Sequence, residues 1–274
     1  SQAMADRYTY IPAIGIFMMI VWGAGDIIRR WHIRKEVVIA ASLAVFSGLC
    51  LTSRIQISVW KDSETLYRHA IGVTRDNYLA HHNLGIVLAQ KGRIEEAIEN
   101  YSEALRSNPG YAKAHNNLGL SLVKQNRTDE AERHFSRAVE LNPTYAQAHN
   151  NLGSVLAAKG RLEAAEAHFR KALALEPDLA EAHNNLAADL MRKDRVNDAI
   201  RHLKEAIRLD PFLETGYIRL AILLARQDRI PDAVNTLAKG LERLPDNPEL
   251  LNGMGIVHEQ SGGIEVIHQR KEPG

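Results

Sequence analysis

The sequence predicts an all-α chain in two parts: two N-terminal transmembrane helices, then an alpha-alpha superhelix, a solenoid of stacked helical hairpins. Three observations predict it. Residues 9–25 and 37–53 are two runs of 17 residues without a charge. From residue 78 the sequence matches itself when shifted by 34 residues, which aligns HNLG at 82–85, NNLG at 116–119, NNLG at 150–153 and NNLA at 184–187. Alanine and proline also recur at fixed places in that period, and self-similarity at such a period marks a stack of identical supersecondary units.

The first element is a membrane segment, 1–59, with spans at about 9–28 and 37–57. Each run reaches the lower limit for crossing ~30 Å of hydrocarbon at ~1.5 Å per helical residue. Tyr8, Tyr10, Trp22, Trp31 and Trp60 stand at the edges of the runs, where ring side chains prefer the headgroup zone. The competing reading is a buried hairpin of a soluble protein, and it lacks a second long apolar surface to cover both helices. The link between the runs carries Arg29, Arg30, Arg34 and Lys35, against Arg7 alone before the first. That bias places the link in the cytoplasm and both outer ends opposite, although Arg54, Lys61 and Arg68 soften the contrast. A signal peptide does not fit, since neither run follows a basic leader or ends in a small-residue cleavage site. The chain opens SQAM, which reads as a piece of a longer protein. The expected location is integral to a membrane, the bacterial inner membrane, with the repeats on the extracytoplasmic side.

Residues 60–77 read as a connecting helix, half a repeat, with Leu66, Tyr67 and Ala70 as its packing side chains. Five units then fill 78–247. Position seven of each is Leu84, Leu118, Leu152, Leu186 and Leu220; position eight is Gly85, Gly119, Gly153, Ala187 and Ala221. Position twenty is alanine throughout, position twenty-four is Tyr101, Phe135, Phe169, Leu203 and Leu237, and position thirty-two is Pro109, Pro143, Pro177, Pro211 and Pro245. The small residues let the first helix (A) and second helix (B) of a unit approach closely, and proline stops helix B. Residues 248–274 begin a partial sixth unit whose tail lacks the alanine and aromatic of a second helix. This pattern of L-G, A-x3-F and P resembles the tetratricopeptide repeat (TPR), whose hairpins bury their apolar faces only by stacking.

Charge and motifs exclude several function classes. With 34 Lys plus Arg against 33 Asp plus Glu, the chain lacks the basic field of a nucleic-acid binder. A lone Cys50 forms no internal disulfide, and CxxC, P-loop, HExxH and GxSxG signatures are missing from the sequence, so no catalytic residue, metal or cofactor is assigned. What recurs is asparagine: Asn83, Asn117, Asn151 and Asn185 at position six, and Asn116, Asn150 and Asn184 at position five. Position six shares a helix face with positions two, nine and thirteen, the face that lines the concave groove in this fold. A column of carboxamides there offers donors and acceptors to a peptide backbone. It is similar to the asparagine ladder of the nucleocytoplasmic O-linked N-acetylglucosamine transferase. The alternative is that these amides bond to neighbouring helices inside the stack. Position six becomes Arg219 in the fifth unit. A dicarboxylate clamp of the cochaperone type is matched at Lys113, Asn117 and Asn151, but the third unit of that clamp would present Glu181 and Asn185 in place of its cations.

His81, His115, His149 and His183 form a column at position four, and His134, His168 and His202 another at position twenty-three. Neither column is a zinc site alone, because ligands ~2.0 to 2.1 Å from one metal cannot sit a packed-helix spacing apart. They read as packing side chains, with pH sensitivity as a corollary. The stretch MADRYTYIPAIGIF, a second span, TSRIQISVW and KDSETLYRHA is similar to the C-terminal part of TPR-bearing GT-C membrane glycosyltransferases, including the transmembrane O-mannosyltransferases. The resemblance implies a parent enzyme that takes sugar from a polyprenyl-phosphate donor, with the repeats presenting protein acceptors. Asp6 and Arg7 fall beside the first span on the outer side, where they would border the active site or, in the favoured alternative, form a hydrated ion pair at the membrane edge, and this chain by itself would be non-catalytic. A structural scaffold for an envelope or secretion complex is the competing expectation. The expected partners are a protein or peptide and the membrane, not nucleic acid.

Overall fold

The computed structural model describes residues 62–260 and the short stretches 43–44 and 47–48. Apart from those two short stretches, which fall within the second, the two expected spans lie outside the described residues, as do the start of the connecting segment and the tail beyond 260. Among the described residues no helix is long and apolar enough to cross a membrane. The chain divides into two compact units, 1–66 and 67–274, and the repeats lie in the second.

Among the described residues there are twelve helices and no strand. Helix α1 spans Ser63–Val73. The five pairs that follow are α2 (Tyr78–Gln90) with α3 (Ile94–Ser107), α4 (Ala112–Lys124) with α5 (Thr128–Leu141), α6 (Ala146–Ala158) with α7 (Leu162–Leu175), α8 (Ala180–Arg192) with α9 (Val196–Leu209), and α10 (Glu214–Arg226) with α11 (Ile230–Arg243). Helix α12 (Pro248–Gln260) is a further A helix. From α2 onward each helix packs only on helices one or two places away along the chain. This is the nearest-neighbour pattern of an all-α TPR solenoid.

The hairpin turn is written at position fifteen. Gly92, Asn126, Gly160, Asp194 and Asp228 all have φ between 56° and 76°, the left-handed conformation that ends a helix in a Schellman motif. The next residue donates back across the turn each time: Arg93 to Leu88 at 2.9 Å, Arg127 to Leu122 at 3.0 Å, and Arg161, Arg195 and Arg229 to Leu156, Leu190 and Leu224 at 2.9 Å. Four of those arginines then fold onto their surroundings as ion pairs one turn into helix B, on Glu96, Glu130, Asp198 and Asp232.

Inside each hairpin, size is matched across the helices. A Cβ on Gly85, Gly119 or Gly153 would lie 2.6 to 2.7 Å from the ring of Tyr101, Phe135 or Phe169, so glycine is what lets the aromatic lie flat on helix A. Where position eight is Ala187 or Ala221, position twenty-four is the narrower Leu203 or Leu237, and all four are buried. Between units, Lys159 and Arg161 converge on Glu132, and Lys193 and Arg195 on Glu166, at 2.6 to 3.1 Å. The hydrogen bonds to Lys193 and Arg170 hold Glu166 down at about 2.

Candidate peptide-binding face

Along the A helices of the five units, positions three, seven, eight and eleven are buried, whereas positions two, six, nine and thirteen are at least partly exposed. The second set includes the asparagine column and, in the later units, Arg192, Arg219, Ile222 and Arg226. Positions five and six behave differently. Asn116, Asn150 and Asn184 are only 3%, 3% and 6% exposed, so a ligand reaching this face meets position six and not position five.

The two positions form one device. Asn151 Nδ2 donates to Asn116 Oδ1 of the preceding unit at 2.9 Å, and Asn185 Nδ2 donates to Asn150 Oδ1 at 3.0 Å and to Ser154 Oγ at 3.1 Å. Asn116 Nδ2 in turn donates to Asn117 Oδ1 at 3.4 Å, and Asn117 Nδ2 to His82 Nε2 at 3.0 Å. His82 closes the run through Nδ1, 3.3 Å from Asn83 Oδ1. An NH2 group only donates and an amide oxygen only accepts, so His82 is the neutral Nδ1–H tautomer. Burial pushes its pKa down, and the positive charge of Lys113 adds to the effect against the hydrogen bond that His82 donates to Asn83.

The hydrogen bonds show the asparagines joined to neighbouring helices inside the stack, as the alternative expects. Their nitrogens tie one unit to the next. The Oδ1 atoms of Asn151 and Asn185 accept no hydrogen bond among the described residues and belong to half-exposed side chains. Lys113 is exposed and joins no hydrogen bond with Asn117 or Asn151 among the described residues. Arg219 keeps the rung by a different atom, donating from Nη1 to the backbone oxygen of Asn184 at 3.4 Å. Asn184 then gives its Nδ2 to Thr215 Oγ1 at 3.0 Å, and among the described residues its buried Oδ1 has no partner.

The two histidine columns meet. His115, His149 and His183 approach His134, His168 and His202 with Nδ1 to Nδ1 distances of 2.9, 2.9 and 2.8 Å. Their Nε2 atoms lie 3.0 to 3.2 Å from the carbonyl oxygens of Pro109, Pro143 and Pro177. A carbonyl accepts only, so the position-four ring is the Nε2–H tautomer and its Nδ1 accepts a hydrogen bond from its partner's Nδ1–H. Ring centroids are 5.1 to 5.2 Å apart, which is the N···N distance plus two ring radii, so the nitrogens meet head-on in a hydrogen bond. Two lone pairs converging on a metal would not be collinear. Among the described residues no group of three or more His, Cys, Asp or Glu side chains could hold a metal ion. Burial, and then the neighbouring ring, lowers His134 and His202 to about 4. Reading the columns separately missed this pairing. The signal was their co-occurrence in the same three units, 19 residues apart; the outer units carry Asn100 and Thr236 at position twenty-three instead. In the fifth unit Tyr217 takes over the bond to the proline carbonyl, donating to Pro211 at 3.1 Å.

Three family models match the sequence: a TPR repeat at residues 87–126 and tetratricopeptide repeats at 116–180 and 190–255. Together they take in more than half of the 274 residues. The chain belongs to the tetratricopeptide-repeat family. Among curated proteins it is similar to the protein O-mannosyl-transferase Tmtc2 of Drosophila melanogaster, 28% identical over 40% of this chain and 11% of that protein. It is also similar to human TMTC2, 35% identical over 38% and 13%, and to human TMTC4, 32% identical over 36% and 13%. The TPR chain thus spans only about an eighth of the length of these relatives. Among solved structures, the thermophilic TPR protein TTC0263 of Thermus thermophilus superposes with a TM-score of 0.57 at 23% identity, over 66% of this chain and 98% of that one. YrrB, described as a TPR protein with an unusual peptide-binding site, gives 0.52 at 20% identity over 69% and 97%. Likeness at these identities speaks for the TPR fold alone.

Proposed function

We propose that this TPR array is a protein-binding module that holds an extended polypeptide along the exposed stripe of its A helices. The observation that carries the reading is the position-six rung. Asn117, Asn151 and Asn185 are each locked by the nitrogen to the unit before, and among the described residues Asn151 and Asn185 are left with an amide oxygen that accepts nothing. Fixed acceptors at a regular spacing suit the N–H groups of an extended main chain, which repeat without regard to side chain. Because the rungs are held beforehand, little side-chain freedom is lost on binding.

The same proposal places the module in a larger membrane protein O-glycosyltransferase. There it would present acceptors on the extracytoplasmic side of spans at about 9–28 and 37–57, to chemistry fed by a polyprenyl-phosphate sugar donor. Support comes from the O-mannosyl-transferases that resemble the chain, and a peptide-binding site is named for YrrB. The test is the triple substitution Asn117→Ala, Asn151→Ala and Asn185→Ala, with unstructured polypeptide binding measured beside helicity. Binding should fall by about tenfold or more in a chain that still folds, as expected for lost hydrogen bonds. Unchanged binding in a folded triple variant removes the reading.

A further inference from the structure

The position-six column changes character toward its C-terminal end. It runs as four asparagines, then Arg219, then Gly253. Where the last rung would stand, Gly253 leaves a cavity of about 420 Å³ between α10 and α12. Its walls are mainly aliphatic, with Ile218, Ile222, Leu237, Ile256 and Val257 among them, and Arg226 and Glu249 also line it. Ile222 and Ile256 are 39% and 46% exposed, so the cavity opens onto the surface.

Three arginines belong to the same end of the stripe: Arg192 at position thirteen of the fourth unit, Arg219 at position six of the fifth and Arg226 at position thirteen of the fifth. Among the described residues none of the three has a carboxylate within ion-pairing distance. Arg192 and Arg219 reach only backbone oxygens, of Ala157 at 2.9 Å and Asn184 at 3.4 Å. By contrast, four of the five arginines that open the B helices are paired with an acid one turn on. The acids of this stripe, Glu181 and Glu249, pair with none of the three. Arg219 is half-buried, and its guanidinium pKa is lowered by burial and by the like charge of Arg192. A partly desolvated cation with a cationic neighbour and no counter-ion is a place where a carboxylate gains more than it would in open water.

The geometry points to a specificity subsite at this end of the groove for an acidic, aliphatic polypeptide segment: a large apolar side chain fills the cavity beside Gly253, and a flanking Asp or Glu carboxylate bonds to Arg219. The inference rests on the proposed peptide-binding role of this face and adds the chemistry of the segment bound. The cavity supplies the apolar area that a bare salt bridge lacks, and the arginine fixes the direction in which the segment lies.

The test uses the full chain and short labelled peptides in a Gly/Ser background. One carries Leu flanked by Asp and Glu, a second has Asn and Gln in place of the acids, and a third has Ser in place of Leu. The acidic Leu peptide should bind about tenfold more tightly than either control. Two variants separate the contributions. Arg219→Asn removes the cation but supplies an amide positioned like those of Asn151 and Asn185, able to reach the unpartnered Asn184 Oδ1, so acid preference should vanish while thermal stability does not fall. Gly253→Leu adds a side chain whose Cβ meets Leu237 at 3.4 Å, an ordinary contact, and fills the cavity, so the preference for Leu over Ser should vanish. Equal binding of all three peptides overturns the subsite while leaving the general groove standing. Acid preference that survives Arg219→Asn also overturns it, as does a dimer of the chain that the acidic peptide fails to dissociate. Absence of binding by every peptide and by longer unstructured polypeptide overturns both the subsite and the groove.

Discussion

Asp189 is the side chain least at ease in the array. It occupies position ten, where other units place Val87, Ser121, Val155 and Leu223, and it is 1% exposed with no hydrogen bond to either carboxylate oxygen among the described residues. Lys193 Nζ stands 3.2 Å from Oδ2 but is shared with Glu166 at 2.7 Å. Burial dominates, and the Asp189 pKa is raised above 3.8. A carboxyl whose pKa is higher in the folded state stabilises the fold below its unfolded value and loses that contribution as pH rises through the folded one. Asp189→Val should therefore raise stability at pH 7 by about 1 kcal/mol, and the gain should shrink toward zero near pH 4. Urea unfolding of both proteins at the two pH values checks this. Residue identities such as the position-six asparagines were legible from the repeat alone. Their division of labour was not, because nothing in a one-dimensional pattern reveals that position six of one unit reaches position five of the unit before, as Asn151 reaches Asn116.

At the scale of the element, the hairpin is governed by one steric match. Gly119→Ala would place a Cβ 2.6 Å from the Phe135 ring, and forced overpacking of this kind costs about 1–3 kcal/mol. Adding Phe135→Leu should recover much of that loss, because the Ala187 with Leu203 and Ala221 with Leu237 hairpins already use this combination. A double-mutant cycle of thermal midpoints would show strong coupling; additive losses would refute the match. The paired variation at positions eight and twenty-four was visible in the sequence, and so was the proline that follows each B helix. The left-handed residue at position fifteen was equally visible but unremarked. Glycine, asparagine and aspartate share no hydrophobic signature, only a tolerance of positive φ.

Across the whole molecule, the three histidine pairs sum. Each has at least one ring whose pKa is depressed by burial: His115 and His134, His149 and His168, and His202. A histidine held below its unfolded value of 6.5 contributes stability that is present above that pH and lost as pH falls through the folded value, which is about 4 for His134 and His202. The thermal midpoint should thus drop between pH 7.5 and 5.0 by on the order of 5 °C. The combined variant His134→Gln, His168→Gln and His202→Gln should flatten the dependence, as paired melting curves at the two pH values would reveal. The solenoid itself was legible before any coordinates, since its packing is periodic and each period repeats the same buried letters. The proposed ligand face was only half legible, because the arginines without an ion pair among the described residues and the gap beside Gly253 arise where the period is broken. The bonds that join units reach one neighbour and stop, as when Asn185 grips Asn150 and Lys193 grips Glu166. In-frame duplication of one interior segment of 34 codons would accordingly regenerate every such junction, so gene lengthening offers this lineage a direct route to a longer array.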